Sequence, residues 1–326
     1  MRGKSIVEVV LIFGLFVFLI DLYKFTGLFK LELNALGWSY IGALQIVIPI
    51  IVIVLAKRNF ASYGLTLRRW GYNLNVGLTC FLVLLIPYGA MILLLPMLGV
   101  SYLEPAGALL LSGFYALSIM LILTILRRRE RRETYELLRA SQSQPTSLPK
   151  SNPDRSTTSL LTETPATLVK EKSKTIQNVI LLGFLLVLPI LVGIYIQGPA
   201  NFNAKIVSTV IYQFFISGFG EEIMFRGYVQ SRINQEFGRP YKFLGVNFGV
   251  GLFVASFMFG FLHILNTFSP FTGSFTVLPW WGVSAFFSGL FFGFIREKTG
   301  SIVASGIAHG LPDAVGEAFG MIFSFV

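Results

Sequence analysis

The chain has 326 residues, of which 54% are hydrophobic and only 13% charged, with 32 phenylalanines and a mean hydropathy of +0.71. That balance excludes a soluble globular domain and describes an all-α polytopic membrane protein. The net charge of +10 does not point to a nucleic-acid partner, because Lys and Arg gather in loops flanking apolar runs, as topogenic signals do. One cysteine, Cys80, lies within an apolar run, so neither a disulfide framework nor a thiolate metal cluster is expected.

With about 20 apolar residues needed per crossing, the sequence predicts nine transmembrane helices near 5–23, 38–56, 74–98, 106–126, 176–196, 205–220, 244–264, 277–295 and 301–326. The first follows Arg2 and Lys4, lacks a small-residue cleavage site and continues into Asp21 and Lys24. It reads as a retained span rather than a signal peptide. Alternate loops separate by charge. One side collects Lys57, Arg58, Arg68, Arg69, the run Arg127–Arg132 and later Arg232, Arg239, Lys242, Arg296 and Lys298; the other holds little beyond Lys24, Lys30 and Lys205. The asymmetry predicts an integral protein of the cell inner or plasma membrane, N-terminus cytoplasmic and C-terminus on the far side. Residues 140–175 are rich in Ser, Thr, Pro and charge and read as a flexible cytoplasmic linker. They divide an N-terminal four-helix region, 1–139, from a five-helix domain, 176–326.

All the unusual chemistry falls in that second part. Glu221, Glu222 and Arg226 sit within an apolar segment, where charges are costly and usually functional. Glu222 and Arg226 are four apart, acid before base, the order that favours a helical ion pair. Glu221 points about 100° away and is left to face a cavity. The only two histidines, His263 and His309, lie in separate apolar segments, and Asp313 follows His309 by one turn. Pro312 removes a backbone donor between them. The aromatic stripe Phe286, Phe287, Phe291, Phe292 and Phe294 reads as packing or lipid contact, and Gly289 and Gly293 as points of close helix approach. Glu8, Asp21 and Glu317 find no partner in the pattern.

Taken in order, Glu221-Glu222-x-x-x-Arg226, Phe259-x-x-x-His263 and His309-x-x-x-Asp313 resemble the CPBP family, also called Abi or type II CAAX endopeptidases. The glycine-rich run Phe287–Arg296 and the stretch Thr299–His309 resemble that family as well, and the likeness covers about 176–326. It implies an intramembrane endopeptidase acting on a membrane-associated peptide or protein substrate, prenylated CAAX-type termini included. By position Glu221 then activates water, His263 assists it or binds a metal, and Glu222 and Arg226 hold the site together. His309 and Asp313 stabilise the oxyanion or complete a metal site. Asp313 stands where the family pattern also has Asn, and an aspartate donates to an oxyanion only when protonated.

Cofactor use stays open on the sequence. His263, His309 and Glu221 match in number a three-ligand catalytic site for a divalent metal such as zinc. A metal-free version, with Glu221 and His263 on the water and His309 and Asp313 at the oxyanion, fits equally. Two other classes compete: a catalytically silent membrane adaptor or regulator of the same fold, and a transporter, which would call for repeated halves that are not found. Depth adds a tension. At about 1.5 Å per residue, His263 lies roughly 29 Å into its span and His309 roughly 14 Å into its own.

Overall fold

The structure, a computed structural model, describes residues 3–26, 36–142 and 165–323. Among them the chain runs as nine long helical segments: α1 (Lys4–Thr26), α2 (Leu36–Leu55), α3 (Trp70–Met97), α4 (Pro105–Gln142), α5 (Pro165–Gln197), α6 (205–237), α7 (Val250–Ile264), α8 (Pro279–Thr299) and α9 (Ile302–Phe323). The class is all-α, the one sheet being a hairpin in which β1 (Tyr241–Phe243) pairs antiparallel with β2 (Val246–Phe248). Four helices are long and apolar enough to cross a membrane by length and composition: α1, α3, the 105–136 part of α4 and the 173–197 part of α5. Gly42–Leu55 of α2 and all of α7 are shorter apolar helices. Helices α6, α8 and α9 carry the polar groups of the site. Of the linker expected at 140–175, both ends continue α4 and α5 as helix, and 143–164 lie outside the described residues.

Helix α6 is not a uniform α-helix. Tyr212–Gly218 and Glu222–Gln230 adopt the wider i→i+5 geometry of a π-helix, which is rare and concentrates at functional sites. A π turn also occurs in α3 at Ala90–Leu94, just after Pro87. Helix α8 starts on Pro279, where the missing N–H costs nothing. It ends on Gly300, whose φ of 72° suits a residue without Cβ. That turn reverses the chain into α9, and the Ile302 N–H donates to Gly64 O at 3.1 Å, tying it to the loop after α2.

The core forms where α6, α8 and α9 are wrapped by the others. Phe291, Ile295 and Ala304 pack with Leu84, Ile122 and Leu123 of α3 and α4, while Phe225 and Phe259 pack with Phe13 and Phe16 of α1. Helix α5 is the outermost, with only 11% of its apolar window buried. Its exposed Ile180 and Leu191 present the surface expected against lipid tails.

The two ends of the bundle differ in polarity. At one end Glu8 takes Arg58 at 2.5 Å and Arg232 at 2.9 Å, Glu297 takes Arg239 at 2.5 Å, and Glu130 takes Lys298 at 2.6 Å. Glu8, unassigned from the sequence, thereby joins α1, the loop after α2 and α6, and it also accepts from the Tyr228 hydroxyl at 2.6 Å. At the other end the contacts are loop contacts. Lys24 Nζ donates to Asn266 O at 3.1 Å, and Asp21 accepts from the Ser269 hydroxyl.

One boundary moves with consequence. The seventh span, expected from 244, begins at Val250, because β2 and Gly249 occupy the preceding residues. His263 therefore lies near the C-terminal end of a short helix.

Candidate active site

The approach of α6 to α9 rests on two glycines. A Cβ on Gly218 would overlap the Gly310 backbone, and one on Gly310 would overlap the backbone of Phe214. Each glycine sits beside the polar residues of its helix, so this close crossing carries Glu221 and Glu222 to His309.

There the two neighbouring glutamates take opposite edges of one imidazole. His309 Nδ1 lies 3.2 Å from Glu222 Oε1, and Nε2 lies 3.5 Å from Glu221 Oε2 and 3.6 Å from Asp313 Oδ2. With its acceptor on Nδ1, His309 presents Nε2 toward both remaining carboxylates. Separations of 3.5–3.6 Å are long for direct hydrogen bonds and leave space for adjustment or a bridging water. The Phe292 ring lies against the imidazole, centroids 4.4 Å apart and planes within 13°. Phe292, read from sequence as packing or lipid contact, is thus a wall of the site that fixes the ring's tilt.

Glu222 is fully buried and pairs with Arg226, also fully buried, at 3.0 Å. Such a pair is costly to bury, and Glu222 Oε2 and Arg226 Nε keep no hydrogen-bond partner among the described residues. Arg226 donates to Gly289 O at 3.1 Å and lies 4.4 Å from the Phe259 centroid and 5.3 Å from that of Phe292. One helical turn on, Gln230 donates to Gly293 O at 3.1 Å. Gly289 and Gly293 therefore serve α6 as two consecutive carbonyl rungs. A Cβ at Gly293 would meet Leu252 and Gln230, and one at Gly289 would press on Ser256 and Arg226, so both rungs favour glycine.

His263 enters from α7 without joining the carboxylate group. Its Nδ1 lies 2.8 Å from Phe259 O; only an N–H can satisfy a carbonyl there, so Nε2 is the nitrogen left for other work. Phe259 is the residue level with His309, ring centroids 5.7 Å apart. His263 is one turn farther along and packs on Trp281 at 5.1 Å. The later start of α7 shortens the path to His263, and one cavity reaches both histidines.

That cavity, about 890 Å³, is lined by Glu221, His263, His309 and Asp313 together with Glu317 and the aromatic residues Tyr88, Tyr115, Tyr212 and Trp281. Tyr88 was not anticipated. It comes from α3 and donates its hydroxyl to Asp313 Oδ1. A tyrosine in mid-span directly after a proline is a polar group at membrane depth, and that was the signal available in the sequence.

The donor set does not suit a metal as placed. Among the described residues no group of three His, Cys, Asp or Glu side chains is arranged to hold one. His263 Nδ1 lies at a backbone carbonyl and His309 Nδ1 at Glu222, which leaves the Nε2 atom of each ring turned to the cavity. The cavity thus brings together a carboxylate, two imidazoles and a tyrosine-bound aspartate.

Comparison with curated proteins and with solved structures gives no match. A family model does match: residues 203–315 fit that of the type II CAAX prenyl endopeptidase, Rce1-like.

Proposed function

Taking as premise that residues 203–315 carry an Rce1-like type II CAAX prenyl endopeptidase domain, a protease family consistent with the CPBP resemblance, we propose that this integral membrane protein hydrolyses a peptide bond of a membrane-associated polypeptide with water activated by Glu221. The observation that carries the reading is the His309 imidazole held between Glu221 and Glu222 at the base of the cavity.

In this mechanism Glu221 accepts a proton from water as the water oxygen bonds to the scissile carbonyl carbon. His263 Nε2 accepts the second hydrogen of that water and so aims its lone pair. Negative charge collects on the carbonyl oxygen of the tetrahedral intermediate. His309 acts as the imidazolium: its Nδ1–H is held by Glu222, its Nε2–H meets that charge, and with the ring locked by Glu222 and Phe292 little reorganisation is needed when the charge develops. Collapse breaks the C–N bond, and the proton held by Glu221 passes to the departing amine nitrogen. One water is consumed, and a carboxylic acid and an amine are released. Asp313, which accepts from Tyr88, acts by positioning His309 rather than by donating.

Glu222 and Arg226 support the site without touching substrate. The pair fixes Nδ1 of His309 and spans from α6 to α8 through Gly289 O.

The test is cleavage of a library of membrane peptides, lipidated and plain, by purified protein in liposomes, comparing wild type with Glu221→Gln. Cleavage lost in the variant, with an unchanged unfolding temperature, supports the assignment. Cleavage retained would remove Glu221 from its role.

A further inference from the structure

The cavity belongs to one end of the bundle. On α6 its lining starts at Lys205, passes Gln213 and ends at Glu221; on α9 it starts at Met321, passes Glu317 and ends at His309. The loop between α7 and α8 contributes Asn266, the first turn of α8 contributes Trp281, and the loop between α3 and α4 contributes Tyr102. No described residue from 222–258 or 293–308 lines it. The floor is the layer of Glu222, Arg226 and Phe292. Below that floor, at the opposite end, lie the ion pairs of Arg58, Arg232, Arg239 and Lys298.

From this arrangement we infer that the cavity opens on the extracytoplasmic side and takes an outward-facing juxtamembrane segment of a membrane polypeptide, not a cytosolic lipidated C-terminus. The inference rests on the proposed hydrolase reading for what is done to that segment. The direction of the mouth rests on the distribution of basic residues, and the kind of occupant on the charge of the walls. Basic residues are retained on the cytoplasmic side of short loops, and here they cluster at the closed end. The walls then carry Glu221, Asp313 and Glu317 against one lysine, Lys205, at the rim. An acidic interior of this kind disfavours the free carboxylate of a chain terminus and accepts an internal or basic segment. Tyr102 and Trp281, beside the loops at the mouth, are the residue types that sit at a membrane–water boundary.

The experiment is thiol accessibility of the full chain in the inner membrane of a bacterial host, in a Cys80→Ala background. Ser208→Cys and Asn266→Cys report the rim, and Glu133→Cys and Lys242→Cys report the basic end. Each is treated with a membrane-impermeant maleimide in spheroplasts and in inverted vesicles. The expected result is rim positions modified in spheroplasts and unmodified in inverted vesicles, with the reverse for the basic end. Ser217→Cys, one turn above Glu221, should react with a small thiosulfonate from the same side as the rim. Rim modification only in inverted vesicles would overturn the inference, as would rim and basic-end positions reacting from one side. Adding Glu221→Ala leaves the labelling pattern unchanged, so loss of the hydrolase reading and loss of the outward mouth are separate outcomes. Single-span reporter peptides in both orientations complete the test, with cleavage expected only where the cut site faces outward.

Discussion

Tyr88 donates its hydroxyl to Asp313 across the boundary between the two halves of the chain. The last element of the site is thereby held by a helix outside the region that carries the family likeness. Asp313 in turn lies beside His309 Nε2 at 3.6 Å, so α3 reaches the reacting centre through a chain of two side chains.

Replacing Tyr88 with Phe removes one hydrogen bond to a carboxylate, an interaction worth about 1.5–3 kcal/mol. Where it orients His309 in the transition state, kcat falls roughly tenfold to a hundredfold while KM changes little. Steady-state cleavage measures the split; a change in KM alone would make Tyr88 a substrate contact instead.

Arg226→Met leaves Glu222 buried without its cation and should lower stability by about 3–5 kcal/mol, the usual cost of breaking a buried pair from one side. Glu222→Leu combined with Arg226→Met should regain much of that stability and none of the activity, because His309 Nδ1 then has no acceptor. Thermal unfolding in detergent beside a cleavage assay separates the two effects. Arg226→Lys fails in a different way, since a point charge cannot span both Glu222 and Gly289 O.

At Gly310 even a methyl group overlaps the α6 backbone. Gly310→Ala should push α6 and α9 apart and spoil the approach of Glu221 to His309. A displacement of about 1 Å costs roughly a hundredfold in rate. Gly316→Ala, on the same helix with nothing within 4 Å of its added Cβ, should leave activity unchanged and so controls for altered helix propensity.

A chelator should leave peptide cleavage intact, because no three-ligand cluster forms among the described residues. Loss of activity on chelation, restored by zinc, would show that these side chains rearrange to bind it.

The residues of the site could be read from the sequence because charge in an apolar segment stands out against a cost of burial. The structure brings Glu221, Glu222, Arg226, His309 and Asp313 together, with His263 on the same cavity. Phe292 could not be separated from the other 31 phenylalanines among the 32, since stacking on His309 is a matter of phase between α8 and α9 and not of residue type. The roles of Gly218 and Gly310 were equally hidden, because a close crossing depends on which faces of two helices meet. The start of α7 is not legible in the sequence, because Val246 and Phe248 are as apolar as a helix would need; only their pairing with 241–243 makes them strand. Periodicity cannot distinguish a short buried strand from the first turn of a helix.

The wide turns of α6 set a rule for how its sequence can change. Each i→i+5 turn holds one residue more than the turn it replaces. Deleting one residue within 222–230 and inserting one within 212–218 would preserve both the length of α6 and the positions of its two ends. Between those points every side chain would be rotated by about 100°, and Glu221 and Glu222 would turn off His309 together. For this helix, length-neutral changes in phase are therefore the damaging ones, and a paired insertion and deletion that no hydropathy profile would register is enough to silence the site.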